Sequence, residues 1–153
     1  MPEWMIEIGN ILSRAFDRDT NLINSCNANM YADNTQDLYW HKDNEELFRR
    51  SDTQRDVFII SVSFGASRPF HIRANFDHEL VKVMLHDGCC MSMEGLFQDK
   101  YEHTLALGSG ISNNHANGSE GSSSSTLPDP NKVRFNLTFR FIHRHLKSCP
   151  MHS

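Results

Sequence analysis

Apolar residues change their period along the chain. Trp4, Met5, Ile8, Ile11, Leu12 and Phe16 recur at near-helical spacing behind Pro2. That predicts one amphipathic helix over residues 2–16. Beyond it the period becomes two. Val57-Phe-Ile-Ile-Ser-Val-Ser-Phe64 is a β-branched and aromatic run ended by Gly65. Shorter runs follow at Phe70–Arg73, Leu80–Leu85, Cys89–Met93, Tyr101–Leu107 and Val133–His143, separated by turn residues such as His86-Asp87-Gly88 and Gly95. Strands punctuated in this way predict a mainly β fold, a barrel or double-sheet jelly roll, with the single helix packed outside.

Residues 108–130 break the pattern. Gly108-Ser-Gly, Asn113-Asn114, Asn117-Gly118 and the serines 122–125 lead to Pro128-Asp-Pro130. This composition buries no face and is expected to form a flexible insertion within one domain over 1–147. At 153 residues and 39% hydrophobic, with ten Phe, the chain is long enough for one core without disulfide staples. Its apolar content excludes disorder throughout, and no apolar run reaches the length of a membrane span. No apolar signal stretch follows Met1, because Glu3, Glu7 and Asn10 interrupt it, so a soluble, intracellular protein is expected, and separately a monomer with no membrane partner. Adjacent Cys89 and Cys90 suit a buried strand, and the absence of a C-x-x-C pair argues against a structural zinc site. The formal charge of −4 gives no global nucleic-acid signature. A nucleic-acid partner would have to be held by local patches: Lys42 with Arg49, Arg50 and Arg55, or Arg140, His143, Arg144, His145 and Lys147.

Two constellations could carry chemistry. His41 and Asp43 stand at i and i+2, so on an extended segment both side chains leave one face. An imidazole and a carboxylate so placed suit a divalent metal. A second His would complete the two-His, one-carboxylate facet of non-haem Fe(II) oxygenases. The strand Arg134-Phe-Asn-Leu-Thr-Phe-Arg140 is more distinctive. Arg134, Asn136, Thr138 and Arg140 share one face, and Phe135, Leu137, Phe139 and Phe141 share the other. The polar face lies either in water or across the barrel. In the second case its buried cations need an anion, which a dicarboxylate would supply through forked contacts.

Read in order, these residues resemble the AlkB family. Asn29-Met-Tyr31, His41-Lys-Asp43-Asn-Glu45, Ser61-Val-Ser-Phe-Gly-Ala66, Met93-Glu-Gly95, His103 and Arg134-Phe-Asn-Leu-Thr-Phe-Arg140 occur in that family's sequence. Asn24-Ser25, Trp40 and the Ser-Phe-Gly-Ala run look most like its eukaryotic, single-strand-preferring branch. The resemblance implies an Fe(II)- and 2-oxoglutarate-dependent dioxygenase that uses molecular oxygen. Its substrates would be N-methylated bases such as 1-methyladenine and 3-methylcytosine in single-stranded DNA or RNA, in the nucleus and/or cytoplasm. It implies His41, Asp43 and His103 as metal ligands. Arg134, Asn29 and Tyr31 would hold the distal carboxylate of 2-oxoglutarate, Arg140 and Asn136 its metal-chelating end, and Glu45 the cationic base. The family's nucleotide-recognition lid precedes the opening helix, so it is expected to be missing from this chain, and the 108–130 insertion replaces a short connection. Three other readings stay open: an oxygenase of the same fold acting on another RNA or protein substrate, a jelly-roll module that binds without catalysis, and a catalytic-core fragment of a longer chain with only uncoupled turnover of 2-oxoglutarate.

Overall fold

The computed structural model describes residues 1–19, 23–48, 57–107 and 132–143. The insertion 108–130, His115, Cys149 and the basic residues Arg49, Arg50, Arg55, Arg144, His145 and Lys147 lie outside the described residues.

Helix α1 (Glu3–Ala15) starts behind Pro2, whose carbonyl accepts the amide N–H of Met5 and of Ile6, both at 3.1 Å. Eight strands follow: β1 (Ser25–Tyr31), β2 (Leu38–His41), β3 (Val57–Gly65), β4 (Arg68–Ala74), β5 (Leu80–Leu85), β6 (Cys90–Gly95), β7 (Tyr101–Leu105) and β8 (Arg134–Arg140). A short α2 (Phe97–Lys100) separates β6 from β7. The strands form two four-stranded antiparallel sheets, ordered β1-β8-β3-β6 and β2-β7-β4-β5. This is the expected double-sheet jelly roll with one helix outside it. Among the described residues no helix is long and apolar enough to cross a membrane.

The core has two layers. Between the sheets pack Phe48, Val57, Ile59, Phe70, Leu85, Met93 and Leu105. Between α1 and the first sheet pack Met5, Ile60, Val62, Leu137 and Phe139, with Ile8, Leu12 and Phe16 beside them. Strand β3 is covered on both sides, so its odd positions feed the first layer and Ile60 and Val62 the second. Gly9 faces the Phe139 ring, and a Cβ there would make ordinary contact with it at 3.5 Å.

Several expectations are corrected. Trp4 and Ile11 belong to the apolar stripe of α1 but are more than half exposed, because the stripe is wider than the contact the sheet offers. Phe135 was placed on the apolar core face of β8, yet it is 47% exposed because α1 reaches only Leu137 and Phe139. Cys89 and Cys90 are not buried: Cys90 opens the edge strand β6 and is exposed. Strands β1 and β2 escaped the periodicity. The sequence Ser-Cys-Asn-Ala-Asn-Met-Tyr has little β-propensity, and its pairing with β8 comes from more than a hundred residues away.

Gly65 closes β3 at φ +83°, and a Cβ there would stand 2.4 Å from the Val133 carbonyl oxygen, at the start of β8. Gly88 has a similar φ of +74° but open space around it. Gly65→Ala should therefore lower the melting temperature clearly more than Gly88→Ala, which carries only the left-handed cost of about 1–2 kcal/mol. Equal shifts in thermal melts would show that β8 can retreat from β3 without cost.

Candidate metal and dicarboxylate site

A β-bulge aims the first candidate ligand. Leu38 pairs with Leu105 and His41 with His103, so β2 spends three steps where β7 spends two. The extra residue lets Leu38 and His41 both face the same cavity, which strict alternation would forbid. His41 Nδ1 lies 2.8 Å from the Tyr39 carbonyl. That acceptor selects the Nδ1–H tautomer and leaves the Nε2 lone pair for a metal. Asp43 follows the strand in irregular chain. Its amide N–H donates to Gln98 Oε1 at 2.9 Å, a bond that ties it to α2.

Three side chains converge here. Ligand atoms of His41, Asp43 and His103 all lie within 4.8 Å of one another. The two imidazoles meet edge to face with centroids 4.2 Å apart, and His103 Nε2 is 3.9 Å from Asp43 Oδ2. Arg140 Nη1 stands 3.5 Å from the other Asp43 oxygen, Oδ1, and its guanidinium lies over Phe48. Arg140 thus stands at Oδ1 and leaves Oδ2 turned toward the imidazoles. Burial, reinforced by His41, pushes His103 well below the ordinary histidine value, to about 4. A neutral imidazole is the form that binds metal, so no proton need be displaced from it near neutral pH. Two imidazoles, one carboxylate and an open cavity fit Fe(II) or a similar divalent ion.

The cavity, about 240 Å³, extends from these residues to Arg134. The polar face of β8 lies inside the barrel, not in water: Arg134, Asn136, Thr138 and Arg140 are all buried. Arg134 Nη2 donates to Ser63 Oγ at 2.8 Å and to Asn136 Oδ1 at 3.1 Å, and its guanidinium stands 5.4 Å from the Tyr31 ring centre. Its Nε has no hydrogen-bond partner, and no carboxylate among the described residues pairs with it. Asn136 is held on both sides, accepting from Ser61 Oγ at 2.9 Å and donating to Thr138 Oγ1 at 2.8 Å. Asn29 and Tyr31 reach the cavity because their register sets them opposite Asn136 and Arg134. Glu45 is exposed and lines the rim.

Every residue to which the resemblance gives a site role therefore lines this one cavity, though Asn136 is committed to the β8 network. Ser61, Ser63 and Gln98 were not singled out for it. The two serines stand at alternate positions of an apolar run, a period-two signal that could have exposed them. Gln98 acts on a residue 55 positions away and leaves no local trace.

Comparisons agree with this geometry. The 2OG-Fe(II) oxygenase superfamily matches over residues 1–140. Alpha-ketoglutarate-dependent dioxygenase alkB homolog 3 of Mus musculus is 31% identical over 113 residues, which cover 68% of this chain and 38% of that protein. The Homo sapiens homologue is 30% identical over the same length, with the same coverage. The chain thus spans less than half of the curated relatives it matches. The solved structure of OsALKBH1 superposes with a TM-score of 0.59 at 21% identity, over 92% of this chain and 66% of that one, and shares the fold. This chain belongs to the 2OG-Fe(II) oxygenase superfamily, among its AlkB-like members. Membership implies Fe(II), 2-oxoglutarate and oxygen, and the triad is the donor set such an ion requires.

The depressed His103 has a consequence for the metal-free protein. Unfolded, its imidazole takes a proton near the ordinary value of 6.5; folded, it stays neutral until about 4. The unfolded state binds more protons between those values, so stability falls as pH drops through that window. Urea midpoints of the metal-free protein should decline from pH 7 to pH 4, and His103→Asn should flatten that decline. An equal slope in both proteins would place the titrating group elsewhere.

Proposed function

We propose that this chain carries the catalytic core of an oxidative dealkylase that removes methyl groups from 1-methyladenine and 3-methylcytosine in single-stranded DNA or RNA. The observation that carries the reading is the cavity itself. One end holds two imidazoles and a carboxylate, and the other holds a buried arginine with no carboxylate partner among the described residues. A ligand that chelates a metal through one end and ends in a distal carboxylate suits both. When bound, Fe(II) supplies oxygen activation coupled to decarboxylation of 2-oxoglutarate, so that the N-methyl group is hydroxylated and lost as formaldehyde.

The chain's own residues bind and orient. His41, through Nε2, His103 and Asp43 would hold the metal. Arg140, at Oδ1, would hold Asp43 turned toward it, and stands where the chelating end of the cosubstrate would lie, with Asn136 behind. Arg134 would receive the distal carboxylate, beside Tyr31 and Asn29. Glu45 on the rim would attract a methylated base that carries positive charge. Lys42, next to Glu45 in the same segment, would meet backbone phosphate.

Formaldehyde release from methylated oligonucleotides tests the whole reading. His41→Ala and Asp43→Ala should abolish both formaldehyde release and 2-oxoglutarate consumption; turnover at the native rate in either variant would sink the ligand assignment. Arg134→Leu should raise the 2-oxoglutarate requirement by about ten- to a hundredfold, the value of a charge-assisted pair of roughly 1.5–3 kcal/mol. Arg134→Lys should recover little, since a point charge replaces a planar fork. Glu45→Gln should lower dealkylation more than it lowers 2-oxoglutarate consumption without nucleic acid. A parallel fall in both would move Glu45 from substrate recognition to the metal end.

A further inference from the structure

Arg68 is fully buried at the first position of β4. Its inward neighbour on that strand is Phe70, whose ring stacks on His103 with centroids 5.4 Å apart. The guanidinium spends its donors on three backbone carbonyls. Nε and Nη2 bond to the Ala106 oxygen at 3.1 and 2.7 Å, Nη2 also to the Gln36 oxygen at 2.5 Å, and Nη1 to the Asp33 oxygen at 3.2 Å. One side chain thus fastens the β1–β2 loop to the end of β7.

That loop joins Tyr31 to the strand that carries His41. The Tyr31 ring centre lies 5.9 Å from the Arg68 guanidinium and 5.4 Å from that of Arg134. Carbonyls satisfy the hydrogen bonds of Arg68 but do not neutralise its charge, and no carboxylate among the described residues lies within ion-pair distance of it. Asp33 and Asp37 act on it only from farther away. Two buried cations therefore stand against one aromatic ring.

We infer that Arg68 is a positioning residue for the dicarboxylate subsite: it fixes Tyr31 against Arg134 and adds its charge to the field that draws in a distal carboxylate. The inference rests on the assignment of Arg134 to 2-oxoglutarate. Arg68 supplies selectivity for a five-carbon 2-oxo acid with a second carboxylate over one without.

Calorimetry on the Mn(II)-loaded protein tests this without turnover. The ligands are 2-oxoglutarate and 2-oxopentanoate, which has the same chain length and no distal carboxylate. The wild-type protein should prefer 2-oxoglutarate strongly. Arg68→Gln should weaken 2-oxoglutarate about tenfold and leave 2-oxopentanoate nearly unchanged. Arg68→Lys, with the charge but not the fork, should lose about threefold. Paired with Tyr31→Phe, the Arg68→Lys loss should be less than additive, because Arg68 acts by placing the hydroxyl that Tyr31→Phe removes. If the wild-type protein itself fails to discriminate, the dicarboxylate assignment falls and this inference with it. If it discriminates and Arg134→Leu abolishes the preference while folded Arg68 variants retain it, Arg68 alone is overturned. Equal weakening of both ligands, or loss of folding in both Arg68 variants, would assign Arg68 to fold stability only and also overturn it.

Discussion

A guanidinium costs a great deal to bury, and β8 buries one at each end. Partners for those two cations organise much of the barrel. Arg134 recruits Ser63 from β3, Asn136 from its own strand and the Tyr31 face from β1. Arg140 recruits Asp43 and the Phe48 ring. What remains unsatisfied on Arg134 is what a ligand would supply. The arrangement is therefore stable enough to fold and still incomplete, the usual condition of a preorganised binding site.

The opposite face of the same strand makes that burial affordable. Leu137 and Phe139 are sealed beneath α1, together with Ile60 and Val62 of the neighbouring β3. Phe139 is fully buried, and a truncation of that kind typically costs about 3–5 kcal/mol. The helix contributes no residue to the cavity. Its role is to give β8 an apolar side, so that alternation alone drives the polar side inward.

The metal end depends on the second sheet. The bulge in β2 turns His41 toward His103, and Gln98 holds the Asp43 backbone from α2. Arg140 then reaches across from the first sheet to Asp43. The triad thus sits where the sheets face each other, with one guanidinium as the bridge. The dicarboxylate end is built differently. There Arg68 of the second sheet and Arg134 of the first flank Tyr31, and backbone carbonyls hold Arg68 in place.

Much of this was legible in the linear chain. The two-face alternation of β8, the period-two runs from Val57 onward and the stripe of α1 depend on neighbours in sequence, and local periodicity records such relations. The order of His41, Asp43, His103 and the two arginines carried the family resemblance. Other features left no local mark. Strand β1 is a poor strand former and β2 only four residues long, and β8 and β7 offer them hydrogen-bonding edges. The direction of the polar β8 face was undecided until α1 covered the other side. Exposure of Phe135, Cys90, Trp4 and Ile11 follows from where packing partners end. The partners of Asp43 and Arg68 are carbonyls, a side-chain amide, an imidazole and a guanidinium drawn from positions 33 to 140, joined only when the sheets close. Sequence by itself determined which residues alternate and which could ligate a metal; tertiary structure decided which face was inside, because burial is a property of the neighbour and not of the strand.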